Sequence, residues 1–224
     1  MRSRNARSHI QIEAVTTSQE SDSVKNIQLN KTKATIRGRI HEADGDRAVL
    51  YVFGAGGGLG GPAGGIYERL AAEFQPRGVT SLQLDYRRPG YFGDCVEDVL
   101  AGVEYLSSLG KYSIVLVGHS FGGAVVISSG IVSDDVTAVA ALSSQTVGAE
   151  NVAELSPKPI LLIHGIEDEV LPYSCTMFLY REAVEPKEMI LYDGCLHGLD
   201  QCRDELDKAM TSWLIEVLEL DSWA

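Results

Sequence analysis

Positive charge is scarce in this chain: 19 lysines and arginines face 31 aspartates and glutamates, for a formal net charge of −12. That balance argues against a nucleic-acid surface and disfavours anionic membranes and strongly anionic substrates, leaving only a local basic pair at Arg87 and Arg88. Cysteine is also sparse. Cys95, Cys175, Cys195 and Cys202 show no Cys-x-x-Cys spacing, so no thiolate metal site is predicted and the four are expected to be reduced. Asp94, Glu97 and Asp98 read as the acidic start of a helix, which the helix dipole favours, rather than as metal ligands. The first thirty residues lack the apolar core of a secretory signal, although Arg2, Arg4 and Arg7 stand among serines. The early Glu13, Glu20 and Asp22 make an organellar transit peptide the weaker alternative, and a cytoplasmic location is the default expectation. One stretch, 114–132, is apolar enough to suggest a membrane span, but His119, its serines and its glycines interrupt it; a buried strand followed by a buried helix is the expected structure.

That stretch carries the most informative pattern in the chain. Ile114-Val115-Leu116-Val117 runs straight into Gly118-His119-Ser120-Phe121-Gly122, a Gly-x-Ser-x-Gly turn between a strand and a small-residue helix predicted over 121–132. A nucleophile on so sharp a turn sits in strained backbone, and side chains at Gly118 or Gly122 would collide with neighbouring chain. The new helix also directs its free N–H groups at any anion that forms beside Ser120.

A serine hydroxyl is a poor nucleophile at neutral pH and needs a base within hydrogen-bond reach, oriented by a third group. Chain order offers both. A buried strand at 160–164 opens into Glu167-Asp168-Glu169, where Asp168 is the candidate acid: its short side chain suits a fixed hydrogen bond to an imidazole, and Glu167 and Glu169 are its competitors. A last strand at 188–192 opens into Asp193-Gly194-Cys195-Leu196-His197-Gly198, which makes His197 the candidate base. The other four histidines are weaker. His9 and His41 precede the core strands; His119 is expected to point to the opposite side from Ser120 and to pack; His164 ends a strand ahead of the acid and reads as a hydrogen-bonded core residue. Cys195 lies two residues from His197 and reads as loop packing.

Donors for an oxyanion come from two places. Phe121 follows the nucleophile, and the strand 48–53 opens into Gly54-Ala55-Gly56-Gly57-Gly58, where Ala55 is the favoured second donor and Gly56 its competitor. This glycine-rich loop has no P-loop lysine and no second half of a dinucleotide fold, so it is read as an oxyanion wall. Strands at 79–84, 113–118, 136–142, 160–164 and 188–192 alternate with helices at 66–74, 95–107, 121–132, 175–183 and 202–219, which predicts a mostly parallel sheet covered on both faces. An antiparallel edge strand at 34–40 is expected to turn through Asp44-Gly45-Asp46 into the oxyanion strand. With 224 residues and 45% hydrophobic content, residues 31–224 are expected to form one catalytic domain behind a polar N-terminal segment, 1–30, whose order is left open.

From about Arg47 onward the chain resembles the α/β-hydrolase superfamily, and within it the lidless dienelactone-hydrolase-like and small serine-esterase branch. The resemblance rests on Phe-Gly-Ala-Gly-Gly-Gly at 53–58, Leu84-Asp85-Tyr86-Arg87, Gly-His-Ser-Phe-Gly-Gly at 118–123, His-Gly-Ile-Glu-Asp-Glu-Val-Leu-Pro at 164–172 and Gly-Cys-Leu-His-Gly-Leu at 194–199. It implies an α/β-hydrolase fold without a substantial cap, Asp168 in the family's acid position, no cofactor, and a serine hydrolase acting on a small-molecule carboxylic ester with a small to medium acyl group. Phe53 stands where the superfamily commonly has histidine, and Ser120 stands where dienelactone hydrolases proper carry cysteine, which departs from dienelactone itself as substrate. Only residues 143–159 separate two strands where lipases and dehalogenases insert a lid, so an open site walled by Tyr86, Tyr91, Phe92, Leu171, Tyr173 and Leu196 is expected. Peptide or amide cleavage, acyl transfer to an alcohol or thiol, and a non-catalytic ligand-binding module on the same fold are the alternatives.

Overall fold

The computed structural model describes residues 12–21, 23–31 and 34–220. Five segments rich in valine, isoleucine, leucine and alanine become strands buried on both faces, as parallel strands covered by helices must be. In chain order the strands are β1 (Ala14–Gln19), β2 (Lys25–Lys31), β3 (Ala34–His41), β4 (Arg47–Val52), β5 (Val79–Asp85), β6 (Ser113–His119), β7 (Val136–Leu142), β8 (Ile160–Gly165) and β9 (Lys187–Tyr192). The helices are α1 (Pro62–Phe74), α2 (Phe92–Ser108), α3 (Phe121–Val132), α4 (Ser174–Glu182) and α5 (Arg203–Val217). They form a single sheet in the order β1-β2-β3-β5-β4-β6-β7-β8-β9, parallel from β5 to β9 and antiparallel across β1, β2, β3 and β5.

Each face of the sheet carries its own core. On one, Val99 and Leu106 of α2, Ala124 to Ile127 of α3 and Leu179 of α4 pack on Leu50, Leu82, Leu116, Val139 and Leu162. On the other, Ile66, Tyr67, Leu70 and Phe74 of α1 and Leu206, Met210, Trp213 and Leu214 of α5 cover Val49, Tyr51, Val115, Val117 and Leu161. Each such large side chain, taken fully out of water, contributes about 1.5–3 kcal/mol before its entropy is counted. Helix α1 is regular only from Ile66: Ala63, Gly64 and Gly65 ahead of it have left-handed backbone.

Two N-terminal expectations differ from the structure. β3 is neither an edge nor the first arm of a hairpin with β4; it pairs antiparallel with β5, which lies between them. β4 is buried almost throughout and takes parallel partners on both sides, β5 and β6, so no flank is left for β3. The Asp44–Asp46 turn instead passes over the start of β5, where a Cβ on Gly45 would lie 2.2 Å from the Gly78 carbonyl oxygen, and Lys111 Nζ holds it by donating to Ala43 O at 2.7 Å. Ahead of residue 31, where the sequence suggested only a polar segment, β1 and β2 continue the sheet. β2 earns its place by alternation, with Ile27 and Leu29 buried between exposed Asn26 and Gln28, whereas every residue of β1 is exposed. Arg2, Arg4, Arg7, His9 and Asp22 lie outside the described residues.

The loops after β4, β6, β8 and β9 all leave the carboxyl ends of parallel strands and therefore open on one edge of the sheet, where sites in such folds are built. Between β7 and β8 the chain forms only a single 3-10 turn, Val152–Leu155. Among the described residues no helix is long and apolar enough to cross a membrane.

Candidate active site

Ser120 stands at the junction of β6 and α3 with φ 59° and ψ −122°, a left-handed conformation that costs a residue with a side chain about 1–3 kcal/mol and persists only where the surroundings impose it. They do so here. A Cβ on Gly118 would sit 2.2 Å from Gly122 O, and one on Gly122 would sit 2.3 Å from Phe53 O, so the elbow closes only with glycine at both places. Ser120 N donates to Leu142 O at 2.8 Å, tying the turn to the end of β7.

The three residues that the sequence singled out for proton transfer are brought into one hydrogen-bonded chain. His197 Nε2 lies 3.0 Å from Ser120 Oγ, and His197 Nδ1 lies 2.7 Å from Asp168 Oδ2. With Nδ1–H donating to the carboxylate, Nε2 is the free acceptor for the serine proton. The Asp168 carboxylate is fully buried, and its Oδ1 accepts from Val170 N at 2.8 Å and Leu171 N at 2.7 Å. Burial pushes its pKa upward, but the His197 and backbone hydrogen bonds outweigh that and hold it below the usual carboxylate range. Glu167 and Glu169 take no such place; the Glu169 carboxylate accepts from His197 N at 3.0 Å, fixing the base's backbone rather than its ring.

The loops bearing Asp168 and His197 are fastened together. Ile166 N donates to Tyr192 O at 2.8 Å and Glu167 N to Cys195 O at 3.2 Å, and a Cβ on Gly165 would come within 2.1 Å of Cys195 O. The expectation that all four cysteines are reduced is corrected here: Cys195 and Cys202 form a disulfide that closes the loop carrying His197, with Cα atoms 5.9 Å apart. Spacing along the chain did not announce it; the bridge forms because the turn at 198–202 folds back on itself. Cys95 and Cys175 are free.

Two further histidines belong to the site, and neither was placed there by the sequence. His119 was expected to face away from Ser120. Alternation ends at the elbow, however, and its buried ring lies 4.8 Å from the His197 ring, with Nε2 donating to His197 O at 2.9 Å. His164 is a buried, hydrogen-bonded residue as expected, but its Nε2 donates to Leu171 O at 3.1 Å and approaches Asp168 Oδ2 at 3.0 Å, while its Nδ1 pairs with Thr176 Oγ1 at 2.8 Å. The signal for both was adjacency, to the nucleophile in one case and to the acid's glycine turn in the other. His41 is remote from these groups and faces Glu68.

The glycine loop after β4 runs past the nucleophile: a Cβ on Gly54 would lie 3.5 Å from Ser120 Cβ. Gly57 N donates to Gly54 O at 3.0 Å, which puts Ala55 and Gly56 at the exposed tip of a tight turn. Asp85, at the end of β5, supports the loop by accepting from Gly58 N at 2.8 Å. Phe121 is buried, with Tyr86 and Phe92 packed edge-on against it. Tyr86 thus sits behind the loop, its hydroxyl on Phe53 O, rather than in an open wall. Tyr91, Tyr173 and Leu196 are exposed, Tyr91 beneath the Arg88 guanidinium, while Leu171 is half-buried and gives both backbone polar groups to the acid's turn. Among the described residues no group of three or more histidine, cysteine, aspartate or glutamate side chains could hold a metal ion.

A mostly parallel sheet covered on both faces, with a strained serine elbow at its carboxyl edge, defines the α/β-hydrolase fold, and solved structures agree. The chain superposes on Est1E from Butyrivibrio proteoclasticus with a TM-score of 0.73 at 16% identity, over 87% of this chain and 99% of that one. The α/β hydrolase GrgF from a Penicillium species gives 0.72 at 15% identity over 88% and 98%, and a dienelactone hydrolase from Anabaena variabilis gives 0.72 at 15% over 87% and 98%. In sequence, the uncharacterized protein YfhR of Escherichia coli O157:H7 is 28% identical, over 65% of this chain and 62% of its own length, and its counterpart in strain K12 is 26% identical over the same shares. The chain thus spans less than two thirds of the curated relatives it matches. No protein-family model matches it.

Proposed function

We propose that this chain is a serine hydrolase that cleaves carboxylic esters with small to medium, apolar acyl groups. The observation that carries the reading is the continuous hydrogen-bonded chain from Ser120 Oγ through His197 to Asp168 at the carboxyl edge of the sheet. In this mechanism Ser120 Oγ attacks the ester carbonyl carbon as His197 Nε2 takes its proton, and the oxyanion rests on the N–H groups of Phe121 and Ala55, with Gly56 as the competing donor. Collapse expels the alcohol with a proton returned by His197. Water, activated by the same imidazole, then releases the acid from the acyl-serine. Asp168 keeps its negative charge throughout and stabilises the imidazolium.

Exposed Tyr91, Val170, Tyr173 and Leu196 on the surrounding loops support an apolar acyl group, and the single turn between β7 and β8 supports an open mouth. That Est1E is solved with ferulic acid bound, and that the matched structures include an esterase domain from Rhodothermus marinus and a monoacylglycerol lipase, favours an ester over an amide. The test is labelling of purified protein with a fluorophosphonate probe alongside turnover of p-nitrophenyl esters of increasing acyl length. Wild type should label and turn over, and Ser120→Ala and His197→Ala should each lose at least about a thousandfold in kcat. Folded wild type that neither labels nor hydrolyses any ester overturns the reading.

A further inference from the structure

The Asp168 carboxylate has more partners than an acid that merely steadies one imidazole requires. Oδ1 is filled by two backbone N–H groups, and Oδ2 receives His197 Nδ1 at 2.7 Å while His164 Nε2 stands 3.0 Å away on its other side. The His164 ring is fully buried and its tautomer follows from what surrounds it. Nε2 faces two oxygens that only accept, Leu171 O and the carboxylate, so the proton must sit on Nε2; a bare Nε2 would set a lone pair against both. Nδ1 is then the acceptor, and the buried Thr176 hydroxyl donates to it at 2.8 Å. Thr176 lies on α4, which no substrate-facing role involves, and its hydroxyl braces the ring in the tautomer that turns Nε2–H to the acid.

We propose that His164, its ring braced by Thr176, is a positioning residue for the acid: it holds the 168–171 turn through Leu171 O and shares the negative charge of Asp168 Oδ2 with His197. This rests on the function proposed above, but its geometry can be tested without turnover. A neutral N–H beside Oδ2 draws charge away from the His197 side, so His197 is less basic than it would be opposite an unshared carboxylate. The other titratable groups facing this cluster are His119 from β6, Glu169 from the same loop and Cys175 from α4. Loss of His164 leaves all three in place.

The experiment is nitrogen-15 NMR of the histidine rings in the full chain. In wild type, His164 should show a protonated Nε2 and a bare Nδ1, unchanged across the neutral range; a protonated Nδ1 overturns the proposal without any variant being made. The His197 titration is then compared with that of His164→Leu, which removes both contacts, and His164→Gln, whose amide N–H₂ can reach both acceptors. The leucine variant should titrate His197 about one pH unit higher, with the glutamine variant near wild type, the size expected for one hydrogen bond to a charged group. If ester turnover is found, kcat should fall about tenfold in the leucine variant with KM unchanged, and the acid limb of the pH profile should move up with the titration. Thr176→Val provides the second arm where leucine prevents folding: it should move His197 in the same direction, by less. A His197 titration identical in wild type, His164→Leu and Thr176→Val overturns the proposal even if the protein is an active esterase, whereas a shifted titration in a protein that cleaves nothing would leave it standing and remove the ester reading instead.

Discussion

His119 is buried with Nδ1 unpartnered among the described residues, and burial pulls its pKa from the usual 6.5 down to about 4. His164 is lowered for the same first reason. Between those two pH values folded His119 binds fewer protons than the unfolded residue, so its contribution to stability is fully present above pH 6.5 and is lost as pH falls toward 4, opposite in sign to buried Asp98, which desolvation raises to about 6. Denaturation midpoints at pH 7 and pH 4.5 should therefore separate more for wild type than for His119→Gln, which keeps an N–H for His197 O and carries nothing to protonate. Equal separation in the two proteins would show that His119 does not contribute. That Ser120, Asp168 and His197 come together was legible at this scale, because the chemistry proposed for them confines each to a loop after a strand. The flanking histidines were not, since whether a strand-end ring faces the site or the core depends on a local turn that residue order does not state.

At the scale of elements, the loop after β9 is held from both ends. Its bridge spans seven positions, and a cross-link closing so short a loop removes about 2–3 kcal/mol of unfolded-state freedom in the chain-entropy account. Thiol titration in denaturant without reductant should count two free cysteines, Cys95 and Cys175, and the Cys195→Ser/Cys202→Ser variant should lose stability of that order. Four titrating thiols would mean the bridge is absent. A bridge of this kind is at home in an oxidising compartment, which pulls against the cytoplasmic default drawn from the chain's first residues. Helices α2 to α5 lie within three residues of their expected bounds because their apolar spacing and the strands around them both mark them. α1 begins earlier than its pattern only by way of three left-handed residues, which periodicity does not describe.

For the molecule as a whole, the central parallel strands could be read directly, since burial on both faces leaves continuous apolar runs. The antiparallel margin could not: β2 buries only Ile27 and Leu29, and β1 buries nothing. Whether the margin belongs to the cooperative unit is a matter of energetics. Ile27→Ala should cost about 2–4 kcal/mol in urea denaturation if β2 folds with the rest, while Val15→Ala on β1 should cost under about 0.5 kcal/mol. An Ile27→Ala variant as stable as wild type would place β2 outside that unit.

The bond from His119 Nε2 to His197 O adds a direct tie between the serine elbow and the His197 loop to those already made by the shared sheet and by Ala63 N donating to Gly198 O. The loops of Asp168 and His197 are fastened to each other, so a drift they share leaves the distance between those two residues unchanged and alters the gap to Ser120. Because His119 adjoins Ser120, that bond references the His197 loop to the serine's own peptide, as a gauge block sets a tool against the work. A residue outside the proposed proton path thus helps to set the gap between Ser120 and His197.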